Sequence, residues 1–175
     1  MRIALLSDTH VPTLLPELPS QLLERLADVD LILHAGDLVS IEILKSLQSI
    51  ADTVAVHGNV DYHQVVSQLP RKQLLSVVGR QLGLIHGNQA PRIERQYLQP
   101  GTYDSPAMET FYEYLAHELP DAEIIVFGHV HVPVVKHWND RLLVNPGAVA
   151  PYRGHSSFGL LDLDADTVRP QIIEL

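Results

Sequence analysis

Short, unbroken apolar runs punctuate the chain, and each ends in a polar cluster. Arg2-Ile3-Ala4-Leu5-Leu6, Leu31-Ile32-Leu33, Thr53-Val54-Ala55-Val56 and Ile124-Ile125-Val126-Phe127 predict four buried strands. Ser20 is placed to cap a short helix reaching about Ala27. Ser40 is placed to cap a helix over 41–50, with Ile41, Leu44 and Leu47 at helical spacing. Strands separated by helices predict a parallel arrangement with right-handed crossovers. Ligands in such folds bind at the carboxyl ends of the strands. Ser7-Asp8-Thr9-His10, His34-Ala35-Gly36-Asp37 and His57-Gly58-Asn59-Val60-Asp61 should therefore line one edge of one sheet.

The second half reads differently. Residues 71–78 and 80–85 predict a hairpin around Gly79, with His86-Gly87-Asn88 at its end. Residues 88–104 carry Pro91, Arg92, Arg95, Tyr97, Pro100 and Gly101 and predict a long irregular stretch, the place for a lid. Residues 106–119 predict a helix with Met108, Phe111, Tyr112 and Leu115 on its core face. Two further hairpins are expected, one turning at Asn139-Asp140 and one around Asp164-Ala165-Asp166. Asn145-Pro146-Gly147 reads as a tight turn. With no linker or low-complexity segment, residues 1–175 are expected to form a single domain.

Composition narrows the classes. The chain is 46% hydrophobic and 19% charged, as in ordinary soluble proteins. Its net charge of -9 argues against a basic nucleic-acid surface, though it does not exclude phosphate substrates, because divalent ions reverse the sign of a site locally. There is no cysteine, so neither a disulfide frame nor a thiolate zinc site is available. No run is long enough for a membrane helix, and Asp8 comes too early for the apolar core of a signal peptide. A cytoplasmic location is the expectation.

The chemistry lies past the strands. In order, the clusters supply Asp8, His10, Asp37, Asn59, His86, His129 and His131. Three oxygen donors and four imidazoles without sulfur suit Mn, Fe, Ni, Co or Zn. Seven ligands are too many for one ion and suit two ions about 3.5–4 Å apart that share a carboxylate.

Asp8-Thr9-His10, Gly36-Asp37, Gly58-Asn59, His86-Gly87 and Gly128-His129-Val130-His131, in that order, resemble the signature of the calcineurin-like metallophosphoesterases over nearly the whole chain. The short chain is most similar to their small prokaryotic phosphodiesterase branch. The resemblance implies an α/β fold, a two-sheet metallophosphoesterase sandwich flanked by helices. It implies a dinuclear centre of two divalent ions, Mn first, with Ni, Fe, Zn, Co or Mg as alternatives. Asp8, His10 and His131 would hold one ion, Asn59, His86 and His129 the other, and Asp37 would bridge them. A hydroxide between the ions would attack phosphorus in line. Asp37, Asn59 and His129 are the implied catalytic residues, and Asn59 and Arg153 the implied substrate contacts.

The chain departs from many relatives after Asn59, where Val60 replaces a histidine that protonates the leaving group. Leaving groups of low pKa should then react best. His63 is the substitute donor to examine, and Asp61 is expected to orient Asn59 or a metal-binding imidazole. His34 stands between packing and support of the ligands, while His57, His117 and His137 are expected to be structural or exposed. Arg92 and Arg95 offer a second phosphate clamp. Three functions are carried forward: a phosphodiesterase acting on a small-molecule phosphoester, an interaction scaffold like the retromer subunit that shares this fold, and, against the charge, a nuclease. A homodimer is the default assembly.

Overall fold

Side chains alternate in direction along a strand, and in this chain both directions are apolar, so each central strand must be covered on both faces. The computed structural model describes residues 1–97 and 106–175; the expected long loop at 88–104 thus lies partly outside the described residues. The first half runs β1 (Arg2–Leu6), α1 (Ser20–Leu26), β2 (Leu31–His34), α2 (Ile41–Gln48), β3 (Asp52–Ala55) and the single turn α3 (His63–Val66). The second runs β4 (Lys72–Val77), β5 (Arg80–Ile85), the single turn α4 (Pro91–Glu94), α5 (Pro106–Glu118), β6 (Ile124–Phe127), β7 (Val134–Trp138), β8 (Arg141–Asn145), β9 (Ser157–Leu163) and β10 (Val168–Glu174).

These strands form two mixed sheets, ordered β10-β9-β1-β2-β3 and β4-β5-β6-β8-β7. β1, β2 and β3 are mutually parallel, as the strand–helix alternation predicts, and β5, β6 and β8 form the parallel centre of the second sheet. Ile3, Leu5, Leu31 and Leu33 face inward against Leu82, Leu84, Val126 and Val144. The alternate residues Ala4, Leu6 and Ile32 face outward against Leu22 and Leu26 of α1 and Ile41, Leu44 and Leu47 of α2. On the far side, Ile125 and Phe127 pack on Phe111, Tyr112 and Leu115 of α5. The layers are helix, sheet, sheet, helix, the expected sandwich.

Local signals mostly hold. Ser40 accepts the Glu42 N–H and caps α2. Ser20 does not cap α1: Pro19, extended at ψ 133°, occupies the cap position without a side-chain bond, and Ser20 is the first helical residue. α3 and α4 are too short to show a helical period in sequence. α4 also replaces part of the expected irregular stretch, starting at Pro91, whose fixed φ suits a first helical turn. Tyr97, just beyond, stacks on Phe111 with ring centroids 4.7 Å apart, and Phe111 meets Phe127 edge-on at 5.6 Å. Phe111 thus joins α5, β6 and the segment after α4. Phe111→Ala is expected to destabilise the protein by about 3–5 kcal/mol in urea unfolding, since it empties a site fully closed to water.

Candidate metal centre

The turns that end the parallel strands are backbone-strained. Asp8 (φ 53°), His10 (φ 47°), Asp37 (φ 58°), His129 (φ 69°) and His131 (φ 58°) all adopt the left-handed region. Asp and His enter it more readily than most residues, yet each such position costs roughly 1–3 kcal/mol and clusters where function demands it. The effect is to turn successive side chains inward at the carboxyl edge of both sheets.

Close approach completes the geometry. A Cβ on Gly128 would meet Ser7 Oγ at 1.8 Å, and one on Gly58 would meet Asp37 Oδ1 at 2.1 Å. Only glycine at these positions lets β6 and the turn after β3 close upon Asp8 and Asp37.

Six of the seven residues expected as ligands converge. Asp8 Oδ1 lies 3.0 Å from His131 Nε2 and 3.8 Å from His10 Nε2, and the two imidazole nitrogens are 3.3 Å apart. Asp37 Oδ2 lies 3.2 Å from His86 Nε2 and 3.9 Å from His10 Nε2, so it faces both halves of the site. Asn59, largely exposed, brings its Oδ1 to 3.1 Å from His86 Nε2. Two groups have donor atoms within 4.8 Å of one another, Asp8–His10–His131 and Asp8–Asp37–His86. Asp8 Oδ1 is buried yet makes no hydrogen bond, despite its nearness to His131. A buried carboxylate oxygen without a hydrogen bond, among imidazoles, is what a cation would satisfy, and the all-N/O donor set fits a divalent metal.

His129 stands apart from both groups. Its Nε2 lies 2.9 Å from Glu94 Oε1 on α4, an ion-pair distance, but makes no hydrogen bond, and its ring meets that of His86 edge-on at 5.1 Å. Glu94 is itself anchored by the Gln89 N–H at 2.7 Å.

Supporting groups fix tautomers and turns. His86 Nδ1 donates to the Ala35 carbonyl at 2.7 Å, which leaves Nε2 to face the site. His34, fully buried, accepts the Gly36 N–H at Nδ1 and touches the Thr9 hydroxyl with Nε2, so it holds the turn that presents Asp37. Burial drives its pKa down to about 3 and keeps it neutral. Asp61 differs from expectation. It orients neither Asn59 nor an imidazole; its carboxylate accepts the backbone N–H groups of Asp37 (3.1 Å), Val39 (2.5 Å) and Gly58 (2.6 Å), binding two strand-end turns together. Val60, exposed, contributes no side-chain donor, but its backbone N–H bonds Asp37 Oδ1 at 3.0 Å.

Asn145, read from sequence only as part of a turn, is fully buried and donates to the Gly128 carbonyl at 2.9 Å. The rhythm of strand followed by polar residue, extended to β8, would have found it. Nothing local in the sequence marks Glu94. His63 is exposed at the start of α3, and His117 and His137 are exposed, while His57 is half-buried. Arg92 and Arg95 are exposed on and after α4. Arg153 is exposed at a loop tip, its guanidinium 5.2 Å from the Tyr152 ring.

Charge within the site is balanced. Burial raises the cost of ionising Asp8 and Asp37, but the close His131 and His86 imidazoles outweigh it and hold both carboxyls below their usual range. Burial also opposes charge on His86, but Asp37, Asp8 and the Ala35 carbonyl raise its pKa to about 9. His131 is likewise raised against burial, chiefly by Asp8. Burial lowers His10 and His129, leaving them neutral.

The model of the calcineurin-like phosphoesterase superfamily domain matches residues 1–166. The chain belongs to this superfamily. A relative in Methanothermobacter thermautotrophicus, named a probable metallophosphoesterase, is 35% identical over 99% of this chain and 92% of its own length. The solved structure of an archaeal phosphodiesterase superposes with a TM-score of 0.73 at 22% identity, covering 100% of both chains. Zinc-bound Vps29 of Entamoeba histolytica superposes with a TM-score of 0.71 at 22% identity, covering 99% of each chain. The family implies divalent metal ions, and the described residues include the two candidate donor groups given above. Among the described residues no helix is long and apolar enough to cross a membrane.

Two outcomes follow from this geometry. Asp61→Ala should lower stability by roughly 3 kcal/mol in urea unfolding, because three amides lose a charged acceptor, and Asp61→Asn, which keeps one oxygen, should lose less. Metal ligation requires a neutral imidazole, whereas metal-free His86, at about 9, carries its proton at pH 7.5. Metal uptake at that pH should release protons, seen by titration in weak buffer, and affinity should rise with pH until His86 is neutral.

Proposed function

We propose that residues 1–175 act as one domain, a metal-dependent phosphodiesterase that hydrolyses a small-molecule phosphodiester. The observation that carries this reading is the pair of overlapping donor groups, with a buried Asp8 oxygen that lacks a hydrogen bond. Family membership and a 24% identical relative named a phosphodiesterase in Methanocaldococcus jannaschii support it. When bound, divalent ions supply Lewis-acid charge for the phosphoryl oxygens and lower the pKa of a water, which makes a nucleophile at neutral pH.

The chain's own residues divide the remaining work. Asp8, His10 and His131 would hold one ion. Asn59, His86 and His129 would hold the other, with His129 turned from its present contact with Glu94. Asp37 would serve both, which its position between His10 and His86 favours. His86 keeps Nε2 toward the site because Nδ1 is tied to Ala35. The exposed Asn59 carboxamide is available to a phosphoryl oxygen. Arg153, at the loop tip, is the second substrate contact. Mn is the first choice of metal by resemblance to the family, and a donor set without sulfur accepts Ni, Fe, Zn or Co as well.

Position 60 sets leaving-group preference. With an apolar, exposed Val60 no imidazole protonates the departing oxygen, so esters of acidic alcohols should be favoured over alkoxide leaving groups. The likeness to Vps29 keeps the scaffold reading as the alternative, and one variant separates the two. Metal-stripped protein, reloaded with Mn, Ni, Mg or Zn, is expected to cleave an aryl phosphodiester faster than the matching aryl phosphomonoester. Asp37→Ala should lower the rate at least about 100-fold, or roughly 2.7 kcal/mol. Bound metal without turnover of either ester would favour the scaffold, and a monoester preference would point to an unrecognised proton donor, with His63 tested first.

A further inference from the structure

Beside the Asp8–His10–His131 group lies a cleft of ≈ 250 Å³ whose lining includes His131 itself. Val132 and Pro133 continue its wall from the turn after β6, Tyr152 and Arg153 close one side, and Ile172 of β10 closes another. The cleft begins where the metal donors end: the Tyr152 ring meets His131 edge-on, with centroids 5.1 Å apart at 87°.

Three observations define what would fit. The exposed lining is mostly hydrocarbon or aromatic, with polar side chains at His131, His155, Ser156 and Ser157 and the Arg153 guanidinium at the rim. That guanidinium lies over the Tyr152 face, and its loop is fixed by paired backbone bonds between Tyr152 and His155 (2.8 and 3.0 Å), with Arg153 (φ 52°) and Gly154 (φ 83°) forming the tip. A flat ring entering here gains aromatic and cation–π contact together. The volume falls below the roughly 300–1,000 Å³ of a drug-sized site, which suits one ring and not a polymer. Glu174, also on the lining, disfavours a second phosphate.

We propose that this cleft is the subsite for the retained ester arm of the substrate, and that this arm is an uncharged, single-ring aromatic group. The inference rests on the phosphodiesterase reading. Val60, where a leaving-group acid would stand, bonds Asp37 Oδ1 through its backbone N–H, and Asp37 faces His86, whereas the cleft borders the other donor group. The leaving arm therefore departs on the Val60 side. Water adds to phosphorus, the P–O bond to that arm breaks, the arm leaves with a proton from solvent, and the product is an aryl phosphomonoester.

Two measurements test this. With metal-loaded enzyme, 4-nitrophenyl phenyl phosphate and 4-nitrophenyl methyl phosphate share a leaving group and differ only in the retained arm. The phenyl ester is expected to show a KM about tenfold lower, and Ile172→Trp, which fills the cleft, should abolish that advantage. With metal-free protein carrying 13C-labelled methyl groups, methyl phenylphosphonate should shift the Val132 and Ile172 signals and methyl methylphosphonate should not. Turnover without any arm preference, or equal shifts from both phosphonates, overturns the subsite while the phosphodiesterase reading stands. Methyl shifts specific to the phenyl probe without turnover under any metal leave an aryl-binding cleft but overturn the hydrolase and, with it, the retained-arm assignment.

Discussion

Everything at the carboxyl edge of the two sheets serves one electrostatic constraint: the Asp8 and Asp37 carboxylates and the His10, His86 and His131 imidazoles hold donor atoms within 4.8 Å of one another in two overlapping groups, largely out of water. Like charges this close repel, and burial raises the cost of each. The chain answers by setting His86 and His131 against Asp37 and Asp8, which raises the pKa of both imidazoles and lowers that of both carboxyls. The left-handed backbone at Asp8, His10, Asp37, His129 and His131 is maintained by the packed strands behind it.

The two halves of the site differ in character. The Asp8–His10–His131 half adjoins an aromatic cleft, while the Asp37–His86 half opens at Asn59 and Val60 to solvent. The two halves therefore offer different environments on either side of Asp8 and Asp37. A net charge of -9 is compatible with this arrangement, because the candidate donors and the cleft beside them are local features and need no basic surface.

Much of this was legible in the sequence because strands buried on both faces read as plain apolar runs. Ile3 to Leu6 and Ile124 to Phe127 could scarcely be anything else, and the polar residues after them fell on turns, as parallel topology requires. What stayed hidden depends on contacts distant in sequence. Asp61 looked like a neighbour of Asn59, yet its carboxylate reaches back to the turn after β2. Glu94 meets His129 across the site from a helix too short to leave a period. Ser20 was displaced as a cap because Pro19 had already set the entry of the helix, and propensity alone does not rank two adjacent candidates.

The three amide bonds to Asp61 bear on how the site moves. They staple the turn after β2 to the turn after β3, and those turns present Asp37 and Asn59. Neither turn can open alone without uncovering a charged acceptor and its donors. Amide hydrogens of Asp37, Val39 and Gly58 would then exchange with solvent only when the first sheet itself loosens. The edge that presents Asp37 and Asn59 is thereby coupled to the stability of the sheet behind it, although Asn59 itself is exposed.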